Sequence, residues 1–177
     1  MNNSLRFTVL VLLVGALLVT ANGGPKSHMK PWNGVWTGDA TIVSSCENNG
    51  LSFVETGTGY MEQMGKTTWS NHYCMDPVTW TGSGTATETA ANGDKIFVKT
   101  TPHFTWTSPT AGNWVETEVV TGGTSRFAGA AGSSHSKGTF TLTSQTTAVW
   151  EGTTIGMLCD PSGNSPCPAN CSLDIDR

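Results

Sequence analysis

Between Trp32 and Leu158 the chain alternates, with threonine or another polar residue at one position and an apolar or small residue at the next. Thr139-Phe140-Thr141-Leu142-Thr143 and Trp80-Thr81-Gly82-Ser83-Gly84-Thr85-Ala86 run this way. A period of two sends successive side chains to opposite faces of a strand, so the pattern predicts half-buried β-structure. Helical spacing is confined to the apolar N-terminal run, and threonine and glycine oppose helix elsewhere. Turn signals divide the strands at Glu47-Asn48-Asn49-Gly50, Asp76-Pro77, Ala91-Asn92-Gly93-Asp94, Ser108-Pro109 to Asn113, Gly122-Gly123, and the stretch from Gly132 to Gly138. Asn92-Gly93 suits a tight hairpin, because both residues tolerate positive φ. About eight consecutive antiparallel strands result, the number at which a closed barrel fills its interior with side chains or holds one small ligand. The expected fold is all-β, a single closed antiparallel up-and-down barrel.

Parity then sorts side chains between lumen and solvent. Trp36-Thr37-Gly38, Trp80-Thr81-Gly82 and Trp150-Glu151-Gly152 each set a tryptophan and a glycine on one face, and large beside small is how a narrow barrel interior is filled. Ala40 and Ile42 share the face of Trp36, and Ala86 that of Trp80, whereas Thr37, Asp39, Thr41, Thr81 and Thr85 face water. Such tryptophans either fill a core or wall a pocket. On the second reading Trp36, Trp69, Trp80, Trp106 and Trp150, with Asn71 and Tyr73 on the face of Trp69, are the candidate ligand-binding residues. If Leu51 and Phe53 point inward, Glu55 follows; among aromatics its pKa would rise by desolvation, which makes it the one weak catalytic candidate. A bulge near Gly57 and Gly59 would instead turn Glu55 to solvent. Glu116 and Glu118, on one face of Val115-Glu116-Thr117-Glu118-Val119, read as a solvated outer face. Ser133-Ser134-His135-Ser136 reads as a polar loop. His72, His103 and His135 are scattered without partners at ligand spacing, so neither a metal nor a cofactor is expected.

The ends differ from the middle. Residues 1–23 carry Arg6, then an uncharged apolar run and small residues around Ala21 and Gly23, as a secretory signal peptide does. The run is shorter than the roughly 20 residues that cross a bilayer, so no membrane association is expected after cleavage. Residues 24–31 read as a linker, 32–158 as the barrel domain, and 159–177 as a Cys- and Pro-rich tail. The chain has 9 basic and 13 acidic residues; losing Arg6 leaves 8 against 13, a net charge of −5. With no basic patch, nucleic acid is excluded as the expected partner.

A secreted or periplasmic location makes disulfides the default for Cys46, Cys74, Cys159, Cys167 and Cys171. Five cysteines leave one over, and about fifteen two-bridge arrangements stay open, with at least one bridge expected to pin the tail. A metal site from Cys159, Cys167 and Cys171 would lack the paired-cysteine and histidine framework of zinc. Asn170-Cys171-Ser172 is a glycosylation sequon that matters only in a eukaryotic secretory route.

One segment carries a family resemblance. Val120-Thr121-Gly122-Gly123-Thr124, followed by Phe127, Ala128, Gly129, Ala131 and Gly132, is similar to the V-x-G-G-T-G-x-F-x-G-A-x-G stretch of the allene oxide cyclase barrel superfamily, which includes the dirigent proteins. Ser125 stands where that pattern has glycine. Gly84-Thr85-Ala86 through Asp94 and Trp150-Glu151-Gly152-Thr153-Thr154-Ile155 resemble secreted bacterial members of the group. The resemblance spans Trp32 to Leu158, and only the Gly122 to Gly132 segment is specific. It implies an eight-stranded antiparallel barrel with a lumen, and a homotrimer. Gly122, Gly123, Gly129 and Gly132 would form a tight structural turn whose space Phe127 plugs. No catalytic residue carries over, because the family's catalytic positions lie outside the matched stretch. Asn33-Gly34-Val35-Trp36 also resembles the Gly-x-Trp of lipocalins, whose helix after the last strand is disfavoured by the residues that follow Leu158. Three functions are expected candidates: a binding barrel for a small apolar molecule, a cyclase or isomerase acting on a confined substrate, and a structural or surface-interaction barrel with a packed core.

Overall fold

The computed structural model describes residues 29–159 and Cys167. The expected signal peptide, residues 24–28 of the expected linker, and Cys171 with the rest of the tail lie outside the described residues. The strands are β1 (Met29–Pro31), β2 (Gly34–Ser45), β3 (Leu51–Met61), β4 (Gly65–Met75), β5 (Gly82–Ala90), β6 (Lys95–Trp106), β7 (Ala111–Gly123), β8 (Ala131–Leu142) and β9 (Thr147–Cys159). Strands β2 to β9 pair with their chain neighbours, all antiparallel, and β9 pairs with β2 to close an eight-stranded barrel. Closure leaves no open edge among these eight. The ninth strand, β1, lies along β9, so Met29–Pro31 of the expected linker is strand instead.

Other expectations need correction. Gly132 to Gly138 is not a turn but the first half of β8, and Asn113 lies inside β7 rather than at its leading turn. The glycines misled because they serve packing here. A Cβ at Gly138 would fall 2.7 Å from Gly152 Cα, and one at Gly132 would fall 2.3 Å from the Met157 carbonyl oxygen. At the β5–β6 hairpin only Gly93 takes positive φ, while Asn92 uses its side-chain oxygen to accept from the Asp94 N–H.

The large-beside-small pattern operates across strands rather than along one. Trp36 lies over Gly59 of β3, Trp150 over Gly38 of β2 and Gly57 of β3, and Trp114 over Gly152 of β9; at each of these glycines a Cβ would come within 2.9 Å of the indole. Four glycines therefore make room for three indoles in one lumen.

One end of the barrel is closed. Trp32, Met61, Met64, Ile96, Phe127 and Leu158 are all buried in one apolar cluster there. Phe127 comes from a 3₁₀ turn, Ser125–Phe127, between Gly122 (φ 143°) and Gly129 (φ 78°). Both glycine angles are ones that side-chain-bearing residues rarely adopt, and Phe127 plugs the end as the sequence led us to expect. At the other end the Cys46–Cys74 disulfide ties the β2–β3 connection to β4; at the plugged end Cys159–Cys167 joins the end of β9, next to Leu158 of the plug, to the tail. Two disulfides fit an oxidising compartment. No helix among the described residues is long and apolar enough to cross a membrane.

Candidate functional site: an aromatic lumen with a carboxyl layer

Alternation along each strand sends one residue in two into the barrel, and the strands stack these residues in layers. Above the apolar plug, Glu55 (β3), Asn71 (β4), Glu88 (β5), Thr100 (β6), Glu116 and Glu118 (β7), Ser134 and Ser136 (β8) and Thr154 (β9) form a polar layer. All are buried, Glu55 at 9% exposure and Glu88 at 1%. Above it Phe53, Tyr73, Phe104 and Phe140 stack or meet edge to face at 5.1–6.4 Å. Trp80 and Trp106 meet at 5.1 Å at the mouth.

These walls bound a cavity of about 120 Å³. Trp36, Trp69, Tyr73, Trp80, Trp106, Trp150 and Glu55 all line it, and Asn71 sits behind them, bonded to two carboxyls. Every residue singled out for ligand binding is thus brought to one lumen. Glu55 faces inward, and no bulge turns it out: β3 keeps register with β4 from Leu51 to Met61.

Two expectations about polar residues are overturned. Glu116 and Glu118 are inside and Val115 and Val119 outside, because Trp114 and Val120 share the glutamates' parity and take the interior. The exposed valines cost little against a mispacked tryptophan. Ser133-Ser134-His135-Ser136 is part of β8, with Ser134 and Ser136 in the lumen bonded to Glu118. Glu88, Trp114, Phe104 and Phe140 were not singled out by the sequence reading. Glu88 was within reach, since it stands two residues from Ala86, whose inward face was assigned.

The hydrogen bonds distinguish the four acids. Glu118 accepts from Ser134 Oγ and, at 2.7 Å, from Ser136 Oγ. Ser136 Oγ lies 2.6 Å from Thr154 Oγ1, which accepts from Trp36 Nε1 at 3.1 Å. Glu55 Oε1 accepts from Tyr73 Oη at 2.7 Å. The Asn71 amide donates at 3.4 Å to both Glu55 and Glu116, spanning the lumen. Glu88 has the least support, as neither its Oε2 nor the neighbouring Trp32 Nε1 reaches hydrogen-bond geometry with any described group.

Burial raises the pKa of all four, because each carboxylate loses water with no buried cation among the described residues to replace it. Glu55 rises to about 7, with Tyr73, Asn71 and Trp69 working against the rise. Glu116 is pushed up by burial and then by Glu118 and Glu55. Glu88 is pushed up by burial and by Glu118, while the adjacent Trp32 indole N–H, short of hydrogen-bond geometry, pulls the other way. Glu118 is raised by burial, and its two serine hydroxyls pull it back. The Tyr73 phenol is raised by burial and then by Glu55, so it stays a donor. Among the described residues no group of three or more metal-ligating side chains could hold a metal ion.

Compared with protein-family models, with curated proteins and with solved structures, the chain matches none.

Proposed function

We propose that the barrel binds a small, largely apolar molecule in its lumen. The observation that carries this reading is the cavity itself: about 120 Å³, walled by tryptophan, phenylalanine and tyrosine and plugged at one end by Phe127. An engineered apolar cavity of about 150 Å³ is enough to hold benzene, so an aromatic ring or short apolar chain suits the space. A barrel serving only as structure gains nothing from this void, since close packing is the more stable state. Polar groups beneath the aromatics give a ligand orientation as well as burial.

The test is the native mass of the oxidised protein purified from a host that secretes it. An adduct lost on denaturation supports the reading and names the ligand class. No adduct, together with a melting temperature indifferent to a panel of apolar aromatics, overturns it in favour of a structural barrel.

A second reading is supported by the Tyr73–Glu55 hydrogen bond and a Glu55 pKa near 7. A carboxyl so poised exchanges protons readily at neutral pH, as a cyclase or isomerase acting on a confined substrate requires. Confinement lowers the barrier further by restricting conformers. Glu55→Gln, with turnover lost and binding kept, is the outcome expected on that reading. The expected trimer stays a proposal from the family resemblance, tested by the native mass in the same experiment.

A further inference from the structure

Among the described residues the lumen has acids and aromatic faces but no cation. Its titratable groups are Glu55 on β3, Tyr73 on β4, Glu88 on β5, and Glu116 and Glu118 on β7; β2, β6, β8 and β9 contribute none to it. Among the described residues no lysine, arginine or histidine lines the cavity, and His72, His103 and His135 all face outward. Glu118 lines the cavity and is held by two serine hydroxyls, an arrangement that supports the anionic form. Glu88, 1% exposed, brings an unpartnered oxygen into the same cluster. Four carboxyls in one apolar enclosure need either protons or a positive charge that the described residues do not supply.

We infer that the ligand of this lumen carries a basic nitrogen: a small aryl-alkyl amine, its ring among the mouth aromatics and its ammonium on Glu118, in the cavity that Trp36 and Trp150 also line. The inference rests on the proposed binding function and specifies its ligand class. Aromatic faces attract an ammonium, most strongly where water is excluded, and a charge-assisted bond to a carboxylate adds to this. A free amine takes the proton of a lumen carboxylic acid, giving an ammonium–carboxylate pair with nothing gained or lost. An amine arriving as ammonium forms the same pair, and one proton leaves the carboxyl for solvent. Affinity for the ammonium then increases with pH, up to about tenfold per unit while one carboxyl must ionise.

The test uses the oxidised full-length chain and three probes of one shape: 2-phenylethylamine, propylbenzene and 3-phenylpropanoate. Tryptophan fluorescence and calorimetry follow binding from about pH 5.5 to about pH 8. The amine is expected to bind at least about tenfold more tightly at the upper pH, with proton release seen as a dependence of the heat on the buffer. Propylbenzene should be flat with pH, and the acid weakest at the upper end. Glu118→Gln should lose the pH dependence of the amine; if that variant does not fold, the three-probe comparison in the unaltered chain decides alone. Propylbenzene binding with the amine weaker and indifferent to pH overturns this inference and leaves the binding function standing. No binding of any probe overturns both.

Discussion

Tyr73 Oη donates to Glu55 Oε1 at 2.7 Å across the β3–β4 pair, joining a buried phenol of the lumen to the carboxyl whose pKa stands near 7. The bond favours the charged form of Glu55, against desolvation. Tyr73→Phe removes it without changing ring packing on Phe53, so the Glu55 pKa should rise further. A carbon-13 titration of the glutamate carboxyls should show one resonance moving its midpoint upward. Stability should fall by about 1–3 kcal/mol, the cost of leaving a buried acceptor unpaired. An unchanged midpoint would mean that the phenol does not support the carboxylate.

Stability should decline as pH rises, contrary to the acid denaturation usual for proteins with salt-bridged carboxylates. Glu55, Glu88, Glu116 and Glu118 bind protons more tightly folded than unfolded. Their contribution is complete below the ordinary value of 4.5 and is lost as pH climbs through the folded values. For Glu55 the window runs from 4.5 to about 7 and is worth roughly 3 kcal/mol. Glu88 and Glu116, raised by burial and by neighbouring carboxyls, add to the decline. Urea midpoints at about pH 5, 7 and 9 should therefore fall in that order. A midpoint that rises between the first two would show that these acids are not buried without charge.

How much of this was legible in the sequence depends on which physical signal dominates at each residue. Where threonine alternates with aromatics, as at Trp36-Thr37-Gly38, parity and polarity agree, and the strand, its face and the lumen all follow. At Val115 to Val119 they conflict: polarity puts the glutamates out, whereas parity from Trp114 and Val120 puts them in. Parity prevails, because a strand has one register and Trp114 has the most surface to bury. The same rule, carried from Ala86, reaches Glu88. Pairing across strands is another matter. That Trp36 rests on Gly59 rather than on Gly38, or that Ser134 and Ser136 meet Glu118, depends on which residues lie opposite, and a single chain does not print that register.

The two ends of the barrel should respond oppositely to truncation. Phe127 is buried in the plug, so Phe127→Ala should cost about 3–5 kcal/mol. Trp80 sits at the mouth with φ 55°, a left-handed backbone that a bulky residue tolerates only under strain. Trp80→Gly relieves that strain while losing the edge contact with Trp106, and its net effect on stability should stay within about 2 kcal/mol. Its effect on affinity for a lumen ligand should be larger, at least about tenfold. Thermal melts and fluorescence titrations of both variants check this. A severe loss of stability at Trp80, with affinity intact, would make the mouth aromatics core rather than wall.

Glu88 offers the sharpest separation of stability from function. Its Oε2 is buried without a partner, it faces Glu118, and the nearby Trp32 N–H is unpaired as well. A methionine has similar length, no charge and the flexibility to fill the same space. Removing an unsatisfied buried oxygen recovers its desolvation cost, on the order of 1–3 kcal/mol, so Glu88→Met should raise the melting temperature. The gain should grow with pH, because the wild-type carboxyl becomes more costly as it is driven to ionise. If the lumen uses its acids together, the same variant should bind the amine probe less tightly despite being more stable. A variant that is less stable at every pH would show instead that Glu88 has a partner in solution, such as a buried water, that holds the polar layer together.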